Sequence, residues 1–263
     1  VRNHNLGPVT NRLAWWAFAR GSGIALHDRE MNRYRRSLGV DALHGTALLS
    51  WTAAARTVVL VSRHYFGVEP SDWTDWHLAG FSAWPGPAGH QVDERVSDFI
   101  EAGDAPVLVC LGTSAAAGAG RSFATIADGL HRRGVRPLLL VGDAANLTHL
   151  AGVPGAFEFA PVSAVVGRCV AAVVSGALGT LAAALTAGVP VVVVPQLFDQ
   201  IWHGRRVEEL GVGIMVTRPD KVASAVARLL REPAYGERAQ SLAMKLKSED
   251  GGGALVDAVE ATI

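Results

Sequence analysis

The stretch from Ala171 to Gly211, AAVVSGALGTLAAALTAGVPVVVVPQLFDQIWHGRRVEELG, constrains the fold of this chain more than any other. It reads as a strand, a glycine turn, a helix, a second strand, and an Asp-Gln pair opening a second helix. A turn of this kind gathers several backbone N–H groups at one helix N-terminus, a geometry that attracts phosphate. The expectation is a site for a nucleotide or a nucleotide-sugar.

The same texture extends over the C-terminal two thirds of the chain. Short Val- and Leu-rich runs at 106–112, 137–142, 156–160, 171–175, 190–195 and 213–216 alternate with helical patterns near 119–134, from about 179 and from about 199. Three further helices are expected near 219–231, 234–248 and 253–262. Continuous apolar strands are those buried on both faces. Their alternation with helices predicts an α/β fold: a Rossmann-like parallel sheet with helices on both faces. Upstream, a helical pattern from Asn11 to Leu38 is broken at Gly21-Ser22-Gly23, and Thr57–Ser62 reads as a strand. The Gly/Pro-rich segment Ala83 to His90 is the expected domain boundary.

Composition narrows the partners. Lys and Arg balance Asp and Glu at 24 each, which gives no argument for nucleic acid or an anionic surface. Arg29, Arg33, Arg35 and Arg36 share their segment with Asp28 and Glu30 and read as a solvated helix face. No apolar run is long enough to span a bilayer. The start, VRNHNLGPVTNR, is polar and shows no signal peptide; Val1 implies an alternative start or a fragment. Cys110 and Cys169 lie in apolar segments and read as buried free thiols of a reducing cytoplasm. The nine histidines are dispersed, with no metal-ligand spacing.

Ligands of open parallel sheets sit beyond the carboxyl ends of the strands, where the strand order reverses. Four loops have that placement. Gly112-Thr113-Ser114 offers close backbone approach and two hydroxyls, or an ordinary helix N-cap. Ser175 to Thr180 offers a tight turn with free N–H groups, or a packing turn. Asp199 and Gln200 offer hydrogen bonds to vicinal sugar hydroxyls, or a cap with Asp199 as its residue. Ala160 to Ser163 offers backbone groups to a base edge, or a plain turn.

Taken together, PVLVCLGTS and the run FAPVSAVVGRCVAAVVSGALGTLAAALTAGVPVVVVPQLFDQIWHGRRVEELGVGI resemble the donor-binding half of GT-B nucleotide-sugar glycosyltransferases. The nearest subgroup is the one acting on sterols and secondary metabolites. The resemblance covers residues 105–217 and extends upstream to MNRYRRSLGV, similar to the family's Asn-x-x-Arg-x-x-Leu-Gly helix. It implies that Thr113, Ser114, Ser175, Gly176, Gly179 and Thr180 bind the donor diphosphate. Asp199 and Gln200 would hold the sugar, and Val162 would lie at the base. It also implies residues 1–82 as the remnant of an acceptor-binding N-terminal domain, 83–104 as linker and first helix, and 105–263 as the donor-binding domain.

Two departures from the family pattern stand out. Ser175 occupies the place of the histidine that faces the diphosphate, and Ala177 that of a glycine. Loss of a charged contact is worth about 1.5–3 kcal/mol. The segment carrying the family's catalytic histidine has no counterpart, and none of His4, His27, His44 or His64 sits in a matching context. The catalytic residue is therefore left unassigned.

For the intact family the resemblance implies inverting sugar transfer from a UDP- or dTDP-linked donor to a hydroxyl of a small hydrophobic acceptor, with no metal and no cofactor. The competing expectation is a non-catalytic paralogue, or the donor half of a split enzyme needing a partner chain. An epimerase of the same fold is a third. Trp15, Trp16, Trp73, Trp76 and Trp84 would lack cover without a second domain, so self-association is expected.

Overall fold

The computed structural model describes residues 24–43, 57–67, 76–82, 92–112, 119–197 and 199–261, with 9, 10, 13, 14, 16 and 17. The chain forms two compact units, residues 1–59 with 71–77 and residues 60–70 with 78–261. The stretch from Ala83 to His90, expected as the boundary, lies outside the described residues, as does the break at Gly21-Ser22-Gly23.

In the first unit, helix α1 (Ile24–Ser37) carries the Asn-x-x-Arg motif. Its two polar residues hold the segment that follows the helix. Asn32 accepts from the Leu43 N–H at 2.7 Å, and Arg35 Nε donates to the Asp41 carbonyl at 2.8 Å. Met31, Tyr34 and Leu38 are exposed. Of the five tryptophans expected to lack cover, Trp16 alone has a described side chain, and it is 56% exposed. Strand β1 covers Thr57–Val59 and pairs with β2 (Trp76–Leu78) in a small separate sheet. It stops short of the expected Ser62 because that serine caps the short helix α2 (Arg63–Phe66), accepting from the His64 N–H at 3.1 Å.

The second unit continues with α3 (Glu94–Glu101), started by Asp93, whose side chain accepts from the Arg95 N–H. Every strand expected after residue 105 is present: β3 (Val107–Cys110), β4 (Pro137–Leu140), β5 (Ala156–Phe157), β6 (Ala171–Val174), β7 (Val191–Val193) and β8 (Gly213–Met215). Between and after them lie α4 (Gly120–His131), α5 (Ala144–Leu147), α6 (Val162–Val165), α7 (Leu178–Thr186), α8 (Gln200–Glu209), α9 (Pro219–Arg231), α10 (Ala234–Leu246) and α11 (Gly251–Glu260). The last begins before the expected residue 253. The Asp250 side chain accepts from the Gly253 N–H and starts the helix across glycines that propensity disfavours.

All six strands are parallel, in the order β5-β4-β3-β6-β7-β8. Strand residues alternate between two buried faces. Val107, Val109, Leu139, Ala171, Val173, Val192 and Ile214 share one cluster with Phe123, Ile126 and Leu130 of α4 and Val222, Val226 and Leu229 of α9. By the period of two, Leu108, Leu138, Ala172, Val191 and Val193 point to the other face, and all are fully buried. There α10 packs on α7. Burial of a Leu or Val side chain is worth about 1.5–3 kcal/mol, so both helical layers are needed to cover such strands. Arg136 ties α3 to the sheet by donating to the Asp104 and Phe99 carbonyls while its guanidinium lies 4.6 Å from the Phe99 ring centroid.

Candidate functional site

The order of strands reverses between β3 and β6, and the loops that leave their carboxyl ends meet. Cys110 is paired with Val174, so Gly112 and Ser175 emerge side by side. Gly112 has φ +76°, and a Cβ there would lie 3.2 Å from the Ser175 Oγ and 3.7 Å from the Ala177 Cβ. Glycine thus serves both the left-handed backbone and the close approach of the two turns. Thr113 and Ser114 follow directly and lie outside the described residues.

Ser175 is 1% exposed, and its Oγ accepts from the Ala177 N–H at 3.3 Å, closing the turn onto α7. Gly176 has φ +90°, and a Cβ there would meet Val193 Cγ1 at 2.9 Å and the Gln200 carbonyl at 3.1 Å. The second loop is thereby fastened to the third. Ala177 is the N-cap of α7 and makes no side-chain cap bond. The first-turn N–H groups of α7, those of Leu178, Gly179 and Thr180, have no partner inside the helix. The Thr180 hydroxyl donates back to the Ala177 carbonyl at 3.1 Å. Gly179 is exposed, with no heavy atom within 4 Å of where a Cβ would stand. Among the described residues nothing accepts from these N–H groups, and the positive end of the helix dipole lies at exposed Gly179.

After β7 the chain turns through Gln196 and Leu197, and α8 begins. Gln200 is 4% exposed, and its Oε1 accepts from the Gln196 N–H at 2.8 Å and the Leu197 N–H at 3.1 Å. Its side-chain oxygen is spent on shaping this loop. Asp199 sits at the N-cap position, yet its side chain makes no cap bond and is 66% exposed. Its Oδ2 lies 3.3 Å from His203 Nε2, one turn along the helix. The rest of the Asp199 carboxylate is exposed to solvent.

His203 is 6% exposed, and its Nδ1 lies 2.8 Å from the hydroxyl of Tyr65, which is fully buried. The rings of Trp202, Phe66 and Phe81 surround this pair, with Trp202 edge-on to His203 at 5.1 Å. Burial pushes the His203 ring below the usual imidazole range, outweighing the Asp199 carboxylate. Burial also raises the Tyr65 phenol well above its usual range, against the pull of Arg206. Neither residue figured among the sequence candidates. His203 had a signal, its i+4 spacing from Asp199; Tyr65, 138 residues from His203, had none.

The fourth loop follows β5 on the other side of β3. Pro161 is the N-cap of the single-turn α6, and Val162 is its first residue, half-buried. Of the N-terminal histidines, the side chains of His4, His27 and His44 lie outside the described residues. His64 lies 3.9 Å from Glu249. Among the described residues no group of three His, Cys, Asp or Glu could hold a metal ion, and no helix is long and apolar enough to cross a membrane.

Residues 138–261 match the family described as "Erythromycin biosynthesis protein CIII-like, C-terminal domain". The O-mycaminosyltylonolide 6-deoxyallosyltransferase of Streptomyces fradiae is 27% identical over 252 residues, covering 94% of this chain and 59% of that protein. This chain therefore spans little more than half the length of that relative. The kitacinnamycin glycotransferase structure superposes with a TM-score of 0.71 at 22% identity, covering 98% of this chain and 68% of that one. The spinosyn rhamnosyltransferase SpnG complexed with thymidine diphosphate superposes with a TM-score of 0.59 at 17% identity, covering 87% of this chain and 60% of that one. Residues 138–261 are thus similar to the erythromycin biosynthesis protein CIII-like C-terminal domain, and the fold of the chain is the α/β architecture of the GT-B glycosyltransferases.

Proposed function

We propose that this chain binds a nucleoside-diphosphate sugar in the crevice beyond β3, β6 and β7 and acts as the donor-binding part of an inverting glycosyltransferase. The observation that carries this reading is the junction of three loops. Gly112 touches the Ser175 turn, the bare N-terminus of α7 opens beside them, and exposed Asp199 stands on the next helix. The diphosphate would lie on the N–H groups of Leu178 to Thr180, with Ser175, Gly176 and the hydroxyls of Thr113, Ser114 and Thr180 around it. Asp199 would accept from sugar hydroxyls, Gln200 would hold the loop that carries them, and the backbone at Val162 would meet the base.

Departure of the nucleoside diphosphate leaves negative charge on its oxygens. A helix N-terminus already aimed at that charge stabilises it with no reorganisation, as preformed oxyanion sites do. The acceptor would be a small hydrophobic molecule presenting a hydroxyl, and the base that deprotonates it is not among the residues placed at this crevice. General-base catalysis contributes typically 10²–10⁴-fold, so transfer by this chain alone should be slow. A dTDP-linked donor is favoured by the thymidine diphosphate bound in a structural neighbour. Both cysteines are free thiols, which supports a reducing, cytoplasmic setting.

A second reading, a donor-binding half that works with a partner chain or has lost catalysis, is supported by one local feature. Serine stands where the family has a diphosphate-facing histidine, and its oxygen already serves the turn. Titration of the purified chain with UDP and dTDP, followed by heat and melting temperature, tests donor binding. A rise in melting temperature with dTDP is expected. No response to either ligand at millimolar concentration refutes donor binding by this chain.

A further inference from the structure

A surface aspartate is a poor reader of sugar hydroxyls unless something holds it. Behind Asp199 a row of polar side chains runs from core to surface: Tyr65, fully buried; His203, 6% exposed; and Asp199, 66% exposed. The contacts along it are 2.8 Å from the Tyr65 hydroxyl to Nδ1 and 3.3 Å from Nε2 to Asp199 Oδ2.

Elementary chemistry allows this row one arrangement of protons near neutral pH. An ionised carboxylate only accepts, so Nε2 carries the hydrogen. The ring is buried and neutral, so Nδ1 is bare and accepts. The phenol is buried and keeps its proton, so it donates to Nδ1. Every step runs outward, and each bond fixes the next.

We propose that His203 and Tyr65 are positioning residues for the sugar-binding step: Tyr65 fixes the His203 tautomer, and His203 Nε2–H holds Asp199 Oδ2, leaving the other carboxylate oxygen to accept from a hydroxyl of a nucleoside-diphosphate sugar. This inference rests on the crevice being the donor site. The anchor of the row is firm. Arg206 Nε donates to the Tyr65 carbonyl at 2.5 Å, and Arg206 pairs with Glu209 at 3.0 Å. Trp202 and Phe81 wall the phenol, with ring centroids 6.1 and 5.5 Å away. His203 is not a base for the acceptor, since both ring nitrogens are engaged and the ring is shut away from solvent.

Holding one side chain in its bound conformation spares the ordering cost at binding, worth about two- to tenfold in affinity. The test is calorimetry on the full chain with UDP-glucose and dTDP-glucose against UDP and dTDP. Tyr65→Phe and His203→Ala should weaken the sugar-bearing ligands by about two- to tenfold and leave the bare diphosphates unchanged. His203→Gln, whose amide can donate to the same carboxylate oxygen, should restore most of the loss. Nitrogen-15 spectra of the histidine rings should show His203 as the Nε2–H tautomer in the wild type and as a mixture in Tyr65→Phe.

Equal losses for both ligand classes, no loss for either, or an Nδ1–H tautomer in the wild type would each overturn the proposal. A wild-type chain that distinguishes sugar from bare diphosphate while the variants keep that distinction sinks this inference and spares the donor site. A wild-type chain that binds none of the four probes sinks both. If His203→Ala does not fold, Tyr65→Phe, which removes one buried oxygen, and the wild-type tautomer still decide.

Discussion

Gly204 of α8 lies against Met215 of β8 so closely that a Cβ on it would stand 2.4 Å from the Met215 Sδ and 2.8 Å from its Cγ. At this contact α8 packs directly on β8. Glycine inside a helix ordinarily costs about 0.5–1 kcal/mol relative to alanine. At this position the sign reverses: Gly204→Ala is expected to destabilise the fold by about 1–3 kcal/mol through overpacking. Urea unfolding measures it, and a variant as stable as the wild type would show that the Met215 side chain yields to the added methyl.

Gly179 poses the opposite case on the neighbouring helix. Nothing lies within 4 Å of its missing Cβ, so Gly179→Ala should raise stability by about 0.5–1 kcal/mol. The same methyl would crowd the N–H groups proposed to hold phosphate. A higher melting temperature with weaker dTDP binding is the expected pair of results. Unchanged dTDP affinity would remove the α7 N-terminus from the site.

Asp199 makes no cap bond, so its loss should leave the helix nearly intact. Asp199→Ala is expected to weaken dTDP-glucose by about tenfold, the worth of a hydrogen bond to a charged group. Bare dTDP should bind as before. Calorimetry with both ligands separates the outcomes, and equal losses would end the sugar-holding role.

Acid should destabilise the fold through His203. Its folded pKa is depressed by burial, so as pH falls through the ordinary imidazole value of about 6.5 the unfolded chain takes up that proton first. The unfolded state then binds more protons, and stability rises with pH in that window. The contribution of this ring is whole above about pH 6.5 and declines below it until the folded ring itself protonates. Melting temperatures measured from about pH 7.5 to about 5.5 should fall less steeply for His203→Gln than for the wild type.

Cys169 should resist alkylation in the folded protein. The residue is 7% exposed, and burial pushes its thiol up to about 12, leaving almost no thiolate at neutral pH. Cys110 is pushed the same way by burial. Iodoacetamide labelling followed by mass should be slow in buffer and complete for both in denaturant.

The sheet was legible because its strands are continuous runs of Val and Leu, a pattern that survives whatever surrounds it. The turns at Gly112 and Ser175–Thr180 were legible for a related reason, since small residues at strand ends announce close backbone approach. Gln200 shows where such legibility stops. Its amide reads as a hydroxyl partner, yet its oxygen is taken by the Gln196 and Leu197 N–H groups, a contact decided by the path of the loop. Tyr65 is farther still from any local signal. It reaches His203 only because α2 and α8 pack in the folded unit, and no periodicity records that.

The position of β3 has a consequence for how the protein is made. One edge of this strand pairs with β4 and the other with β6, so β3, β4 and β5 are all synthesised by Phe157 while one edge of β3 is still bare. An unpaired strand edge is a template for association with other chains. The nascent protein carries that exposed edge until Val174 has emerged to lie beside Cys110. A pause in translation between Phe157 and Val174 would prolong the interval in which that edge of β3 is unpaired and the chain is prone to aggregate.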